Sequence, residues 1–209
     1  MNNTDTVEES VTPEVALRRL KEGNFRFFNN ILVHKDFLGD IFRTKDEQTP
    51  YAAILSCMDS RTSAELIFDQ GVGDIFSIRI AGNVVTDGIL GCLEYATAVA
   101  GSKLILVLGH TNCGAIRGAC DQVRLGHVTS LMERIEPAIE IANQTFTENR
   151  NSDNNEYVTA VTRLNVKYAI DEIMQRSTIV SELVRSGTVG IAAAIYDVST
   201  GKVIFSGFE

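Results

Sequence analysis

Two short clusters of chemically active side chains stand out, CMDSR at residues 57–61 and HTNCG at residues 110–114. Two thiolates and one imidazole suit Zn²⁺, and three protein ligands leave a fourth tetrahedral position open for water or substrate, as in catalytic zinc sites. The spacing of His110 and Cys113 lets a strand end and the first turn of a helix reach one ion. Cys57, His110 and Cys113 are therefore candidate ligands of a catalytic metal.

Each of these residues also has a purely structural interpretation. A single cysteine at the end of a buried strand most often only packs, because free cysteine is frequently buried. Asp59 and Arg61 could form an ordinary surface ion pair. At a buried strand end, however, two charges are costly unless they pair with each other or serve a metal site. The presence of both clusters favours the functional interpretation.

The clusters follow segments that have the pattern of buried strands. Residues 51–56 and 103–109 are almost continuous apolar runs, which are typical of strands buried on both faces of a parallel sheet. In such a sheet, ligands bind outside the carboxyl ends of the strands, so both clusters are expected to face one crevice. A helix that begins at Cys113 would also favour the thiolate form of that residue.

The remaining elements alternate between helix and strand along the chain. Thr12 and Pro13 have the pattern of an N-cap and a first helical residue, and Thr86 or Asp87 begins a second apolar helix that runs to residue 100. Further helices are predicted from residue 62, from near Cys113, over 129–142 and over 156–184, with an exposed loop over 144–155; further strands are predicted over 74–80, 189–198 and 202–205.

The order of these elements predicts an α/β fold with a mostly parallel central sheet, an antiparallel edge strand and helices on both faces. We expect residues 1–209 to form a single domain. Within it, residues 1–11 are predicted to be a flexible tail and residues 12–30 a helical arm, whose aromatic residues need a surface to cover.

Composition excludes several classes of partner. The formal charge is −8 and no cluster of five or more Lys and Arg occurs, which argues against nucleic acid and anionic membranes. The acidic N-terminal sequence has no basic or apolar region of a secretory signal. The most apolar stretch, residues 104–108, is far shorter than the roughly 20 residues of a membrane span. We expect a cytoplasmic protein.

The two clusters, read as CxDSR followed by HxxCG, resemble the zinc signature of the β-carbonic anhydrases. The resemblance covers roughly residues 12–205, and the two motifs in this order are highly specific. Its other matching positions are Gln48 and Pro50, RIAGN at residues 79–83, Tyr196-Asp197 and Thr200-Gly201.

The resemblance implies a zinc enzyme that hydrates carbon dioxide reversibly to bicarbonate and a proton by means of a zinc-bound hydroxide. Cys57, His110 and Cys113 would hold the zinc. Asp59 would either bind as a fourth ligand in a closed state or be held away from the metal by Arg61, and in the open state it would accept the hydrogen bond of the hydroxide. Two thiolates neutralise the zinc charge, so activity is expected to rise toward alkaline pH.

The resemblance also implies an oligomer, either a homodimer or a dimer of dimers, in which the N-terminal arm reaches across a partner. Gln48 matches the position whose amide donates to bound substrate, from the same chain or from the partner. Some relatives are closed by bicarbonate at a second site that uses a Trp, at the position held here by Ile54. Because the chain has no Trp, we expect the constitutively open type. Arg79 matches another residue of that second site and equally suits a structural role.

The other cysteines and histidines have weaker signals. Cys92 lies among apolar helical residues and is predicted to be a small core residue. Cys120 falls nearly on the helical face of Cys113, and packing is favoured over metal binding. His34 and His127 are expected at the surface, where either could carry protons.

Two rival functions fit the same residues. A carbon disulfide or carbonyl sulfide hydrolase would share the zinc ligands and differ in the access to the metal. A zinc-storing or redox-sensing binding protein would use the thiolates but has no need for Asp59, Arg61 and Gln48 together.

Overall fold

The computed structural model describes residues 10–208. Within that range one sheet contains the strands β1 (Ala52–Ser56), β2 (Ile75–Arg79), β3 (Leu104–His110), β4 (Gly190–Tyr196) and β5 (Val203–Phe208). Their order across the sheet is β2-β1-β3-β4-β5. β1 pairs in parallel with β2 and β3, β4 is parallel to β3, and β5 is antiparallel to β4. The predicted mostly parallel sheet with an antiparallel edge is confirmed.

Helices cover both faces of this sheet, as predicted. They are α1 (Pro13–Phe28), α2 (Phe37–Thr44), α3 (Ala64–Ile67), α4 (Asp87–Glu94), α5 (Gly114–Cys120), α6 (Val128–Glu133), α7 (Glu136–Asn143), α8 (Asn155–Arg176) and α9 (Thr178–Arg185). A 3-10 turn, Ala81–Asn83, follows β2, and a π-helical turn, Tyr95–Val99, extends α4.

The side-chain alternation of the buried strands divides the core into two layers. Ile54 and Leu106 face α1 and α3, and pack with Leu20. Leu55 and Val107 face the opposite way, toward α4, α8 and α9. Every residue of β1 and β3 is buried, which explains why these strands are continuous apolar runs in the sequence.

Local capping sets several helix boundaries. The Thr12 side chain accepts from Val15 N with Pro13 in the first turn, and Thr86 caps α4 in the same way. The helical run predicted over 156–184 is instead two helices. Ser177 between them has an extended backbone, and its side chain caps α9 by accepting from Val180 N.

The exposed helix α2 was not predicted. Asp36 caps it, and all of its residues lie at least partly open to solvent. Leu38 is 80% exposed and Phe42 is 71% exposed, in a region where Ile31 is also exposed. The four apolar residues of α2 recur at helical spacing, but a run of eight residues is too short to give a strong helical signal in the sequence.

The predicted arm over residues 12–30 corresponds to α1, which lies against the sheet through Leu17 and Leu20 while Phe25 stays exposed. Residues 1–9 of the predicted tail lie outside the described part of the chain. Across residues 10–208, we find no helix with the length and hydropathy that a bilayer span requires.

Candidate metal centre

The two clusters meet at the point where the strand order reverses. From β1 the chain goes to β2 on one side, and then to β3 on the other side. Ser56 and Leu108 are register partners, so Cys57 follows the carboxyl end of β1 beside the end of β3, where His110 lies. Ligands of open α/β sheets bind at such a point, and the two clusters come together there, as predicted.

Cys57, His110 and Cys113 bring their ligand atoms within 4.8 Å of one another. The two sulfur atoms are 3.9 Å apart, and all three residues are buried. Cys57 follows β1, His110 ends β3, and Cys113 is the N-cap of α5. This geometry could hold a metal ion with two sulfur ligands and one nitrogen ligand.

The His110 ring has one satisfied nitrogen and one unsatisfied nitrogen. Nδ1 lies 2.9 Å from the carbonyl oxygen of Thr111, which can only accept, so Nδ1 carries the proton. Nε2 is buried and has no hydrogen-bond partner among residues 10–208. A buried nitrogen left with a free lone pair beside two thiols fits a metal ligand.

The two thiols have opposite pKa shifts because they share one negative charge. The pKa of Cys57 is lowered, mainly by the hydrogen bond from Cys113 and further by the Gly82 N–H, which lies 3.4 Å from the sulfur. The pKa of Cys113 is raised by its hydrogen bond to Cys57 and by burial. The backbone N–H groups of Ala115 and Ile116 at the start of α5 act in the opposite direction and lower the pKa of Cys113, which is the effect predicted for a thiol at a helix N-terminus.

Asp59 lies beside the ligands and is held by Arg61. Its Oδ2 is 4.0 Å from His110 Nε2. Arg61 donates to both carboxylate oxygens, through Nε at 2.8 Å and Nη2 at 2.7 Å, and its backbone N–H donates to Oδ1 at 3.0 Å. These bonds lower the pKa of Asp59, so the carboxylate stays ionised.

The backbone between Cys57 and Thr62 is held by two further side chains. Arg79 donates to the carbonyl oxygen of Cys57 at 3.1 Å and to that of Asp59 at 2.6 Å. The Thr62 hydroxyl lies 2.8 Å and 2.9 Å from the same two oxygens. These bonds give Arg79 a structural role through backbone carbonyls, and its role in a second site stays a prediction. Ile54, at the position where some relatives have a Trp, is fully buried in the core.

Gln48 is not brought to the ligands within one chain. It is exposed and precedes β1 at the amino end of the sheet, whereas the ligands lie at the carboxyl end. Five residues of strand separate the two ends by roughly 15 Å. Any contact of Gln48 with a site of this kind must therefore come from a second chain.

The remaining cysteines and histidines differ in how far they are buried. Cys120 is buried beside α6 and α8, outside the cluster of metal-ligand atoms, and burial raises its pKa to about 11. The predicted packing role is confirmed. Cys92 is exposed, and the prediction of a core residue was wrong. Leu90 and Leu93 set the buried face of α4, and Cys92 lies on the other side. His34 and His127 are exposed, as predicted.

Some contacts around the site had no obvious signal in the sequence. Asn165 of α8 is buried and donates to the carbonyl oxygen of Gly82 at 2.8 Å, which fixes the turn whose N–H reaches Cys57. Its signal is a polar residue on the apolar face of a helix, between Val161 and Val166. The Thr111 side chain contacts Asp197, 86 residues away in sequence, and no local pattern predicts such a pair.

Comparisons with known proteins agree with this geometry. A family model described as carbonic anhydrase matches residues 52–203. The chain is 33% identical to carbonic anhydrase 2 of Mycobacterium tuberculosis over 201 residues, which cover 93% of each protein. It is 32% identical to a carbonic anhydrase of Mycolicibacterium smegmatis over 197 residues, which cover 91% of this chain and 92% of that one.

Solved structures show the same fold. The β-carbonic anhydrase CafA of Aspergillus fumigatus superposes with a TM-score of 0.74 at 23% identity, covering 92% of this chain and 89% of that one. The β-carbonic anhydrase CcaA superposes with a TM-score of 0.73 at 24% identity, over 91% and 95% of the two chains. With these relatives and this arrangement of strands and ligand atoms, the chain belongs to the β class of the carbonic anhydrases.

Proposed function

We propose that the chain catalyses the reversible hydration of carbon dioxide to bicarbonate and a proton, with zinc held by Cys57, His110 and Cys113. The observation that carries this proposal is the convergence of three buried ligand atoms within 4.8 Å, one of them a nitrogen with no other partner in the described chain. Bound zinc would supply a Lewis acid that lowers the pKa of a water molecule and so would provide the hydroxide for the reaction.

Asp59 orients the reacting water. Its carboxylate stays ionised beside Arg61, so it can only accept hydrogen bonds, and it lies 4.0 Å from His110 Nε2. An acceptor in that position would accept a hydrogen bond from the reacting oxygen and so turn a lone pair of that oxygen toward carbon dioxide. Asp59 is thereby a catalytic residue.

Arg61 keeps Asp59 available for this role. While the guanidinium holds both carboxylate oxygens, Asp59 cannot bind the metal as a fourth ligand. If Arg61 turns away, the freed carboxylate can close the site. The bidentate pair in this structure supports the open form as the resting arrangement of this chain.

Gln48 acts from a neighbouring chain, in a homodimer or a dimer of dimers. Two features support this part of the proposal: Gln48 lies at the far end of its own sheet, and apolar side chains of residues 31–42 are exposed. Two β-carbonic anhydrases of Sordaria macrospora with the same fold are tetrameric, with a TM-score of 0.71 for the matched chain, 22% identity and coverage of 81% and 88%.

Three further predictions from the sequence belong to this proposal. Residues 1–209 form a single domain, which the long match to full-length relatives supports. The location is cytoplasmic, in keeping with four cysteines that all carry free thiols.

The activity rises toward alkaline pH because two thiolates neutralise the charge of the ion; a rate that stays flat from mildly acidic to alkaline pH would contradict this.

The experiment compares substrates on one zinc-loaded preparation. Stopped-flow measurement of carbon dioxide hydration is run beside assays of carbonyl sulfide and carbon disulfide hydrolysis. We expect carbon dioxide to be the preferred substrate by a large factor in kcat/KM. Preferred hydrolysis of either sulfur compound would replace the proposed reaction. Zinc release on mild oxidation with no turnover of any of the three would instead indicate a sensor.

A further inference from the structure

The proton on His110 Nδ1 is accepted by a backbone carbonyl, that of Thr111, at 2.9 Å. This bond leaves Nε2 as the nitrogen that faces the two thiols. The ring can rotate about its bond to the backbone, so the direction of the Thr111 carbonyl sets the direction of Nε2. What fixes that carbonyl therefore contributes to the metal centre.

Thr111 is tied to β4 and to the turn after it by three hydrogen bonds. Its backbone N–H donates to the carbonyl oxygen of Tyr196 at 2.9 Å. Its hydroxyl donates to Asp197 Oδ1 at 3.2 Å and accepts from Val198 N–H at 3.1 Å. One hydroxyl thus joins the end of β3, where the metal ligand lies, to the β4–β5 turn.

The Asp197 carboxylate is itself fixed. It accepts from the Ser199 N–H at 2.9 Å and hydroxyl at 2.7 Å, and from the Thr200 hydroxyl at 2.8 Å. A carboxylate with three donors from its own turn is a stable anchor for a fourth donor, the Thr111 hydroxyl.

The turn is also fastened to α1. The buried Asn24 side chain donates to the Gly201 carbonyl oxygen at 2.9 Å and accepts from Val203 N–H at 2.8 Å. The position of the turn relative to the sheet is thereby set by the core of the protein, and not by the turn alone.

The residue after Thr111, Asn112, is also held in place. This residue has a positive φ of 54°, its Oδ1 accepts from Arg117 at 3.1 Å, and its carbonyl oxygen accepts from Arg61 at 3.2 Å. Two successive carbonyls, those of Thr111 and Asn112, therefore contact the metal ligand His110 and the Asp59 partner Arg61.

We infer that Thr111 is a positioning residue for His110, and that its hydroxyl, anchored on Asp197, holds the carbonyl that orients the imidazole toward the metal. This inference rests on the proposed metal centre. It also assigns a role to the Tyr196-Asp197 and Thr200-Gly201 motif, which the proposed reaction does not otherwise use.

The test compares Thr111→Val, which removes the hydroxyl at constant shape, with Thr111→Ser, which keeps it. Thr97→Val is the matched control, because Thr97 is buried and its hydroxyl bonds to the Leu93 carbonyl of its own helix at 2.8 Å. Zinc affinity is measured by chelator competition. Thr111→Val is expected to raise the Kd about tenfold, the lower end of the range for the loss of such a contact, while the other two variants stay near wild type.

A second measurement follows the His110 Nδ1–H in nitrogen-15 spectra of the zinc-loaded proteins. In wild type and Thr111→Ser this proton should exchange slowly with solvent, because it is buried and bonded, and in Thr111→Val it should exchange faster. If Thr111→Val does not fold, Asp197→Ala is read in the same two assays and should show the same changes.

The outcomes separate this inference from the proposed function. Equal zinc affinity and equal protection of the proton in Thr111→Val and wild type would overturn the role of Thr111 and leave the metal centre intact. If the wild-type protein binds no zinc, or binds zinc that His110 does not contact, the metal centre and this inference are overturned together.

Discussion

The Asp59 carboxylate has two competing partners, Arg61 on one side and a metal bound at His110 on the other. Nη2 of Arg61 is 2.7 Å from Oδ2, and His110 Nε2 is 4.0 Å from the same atom. The Arg61 side chain is 49% exposed, so solvent weakens the pair. In the proposed mechanism, a modest free-energy difference at this one residue would therefore separate the open site from the closed site.

Asp59→Asn is expected to lower kcat for carbon dioxide hydration about 100-fold and to leave zinc binding near wild type, because a neutral amide with one donor group replaces the charged acceptor while the three ligands remain. Stopped-flow kinetics and metal analysis check this. The matched control is Asp171→Asn, which breaks a surface pair with Lys167 of the same kind. A rate near wild type in Asp59→Asn would remove the catalytic role of this residue.

Asp197 carries a stability effect that depends on pH. Its pKa is lowered from 3.8 to about 2, mainly by the Ser199 N–H and hydroxyl and by the Thr200 hydroxyl. A lowered pKa means that the native state favours the ionised form, so this stabilisation is present above about pH 4 and is lost as the pH falls toward 2. Asp197→Ala should therefore have a lower free energy of unfolding than wild type at neutral pH. The difference should shrink below about pH 4. Urea titrations across pH check this, and a difference that stays constant with pH would contradict it.

The ligands could be predicted at the scale of residues because two thiols and an imidazole placed directly after apolar strands are typical of a metal site. The contacts that orient them could not, since the link from Thr111 to Asp197 spans 86 residues. Cys92 was misplaced because hydrophobic neighbours in sequence do not specify which side of a helix a residue occupies.

At the scale of elements, α1 packs closely against Phe68, the residue after α3, and the contact leaves no room for a side chain at Gly23. A Cβ at Gly23 of α1 would overlap the backbone carbonyl of Phe68. Backbone atoms cannot move away as a flexible side chain can, so the two elements would have to separate. α1 carries Asn24, and through it the β4–β5 turn, so this contact also affects the surroundings of the metal centre.

Gly23→Ala is expected to lower the free energy of unfolding by about 3 kcal/mol, because the added methyl group overpacks the contact between α1 and the Phe68 carbonyl. Gly91→Ala is the matched control within α4, where an added Cβ has open space around it. This second change should raise stability by up to about 1 kcal/mol through helix propensity. Chemical denaturation of both variants checks the pair, and equal effects would contradict the packing argument.

The strands and most helix starts could be predicted from apolar runs and capping residues. The division of residues 156–184 at Ser177 could not, since the apolar pattern continues across the break. Helix α2 was also missed, because eight residues are too short for a strong periodic signal.

At the scale of the whole molecule, a single chain leaves the proposed site without Gln48 and leaves apolar side chains in water. Leu38 and Phe42 are 80% and 71% exposed. Apolar groups clustered in this way mark contact surfaces more often than isolated ones do. Association of chains through this region would cover them and could bring Gln48 to the metal centre of a partner.

The double variant Leu38→Ser/Phe42→Ser is expected to shift the protein toward monomers and to lower hydration at least tenfold, while each chain still binds zinc. Light scattering with size-exclusion chromatography gives the mass, and stopped-flow kinetics give the rate. Leu125→Ser is the control, since Leu125 is 67% exposed in another part of the chain. A monomeric double variant with the wild-type rate would show that each chain has a complete site.

The central claim is that hydration depends on zinc held by Cys57, His110 and Cys113. The most direct measurement is the rate of carbon dioxide hydration as zinc is titrated into the metal-free protein, in wild type and in Cys113→Ser. The rate in wild type should rise in proportion to zinc and level off at about one ion for each of the three-ligand sites. Cys113→Ser should show little activity at the same zinc concentrations. A rate independent of zinc, or an unchanged titration in Cys113→Ser, would contradict the account.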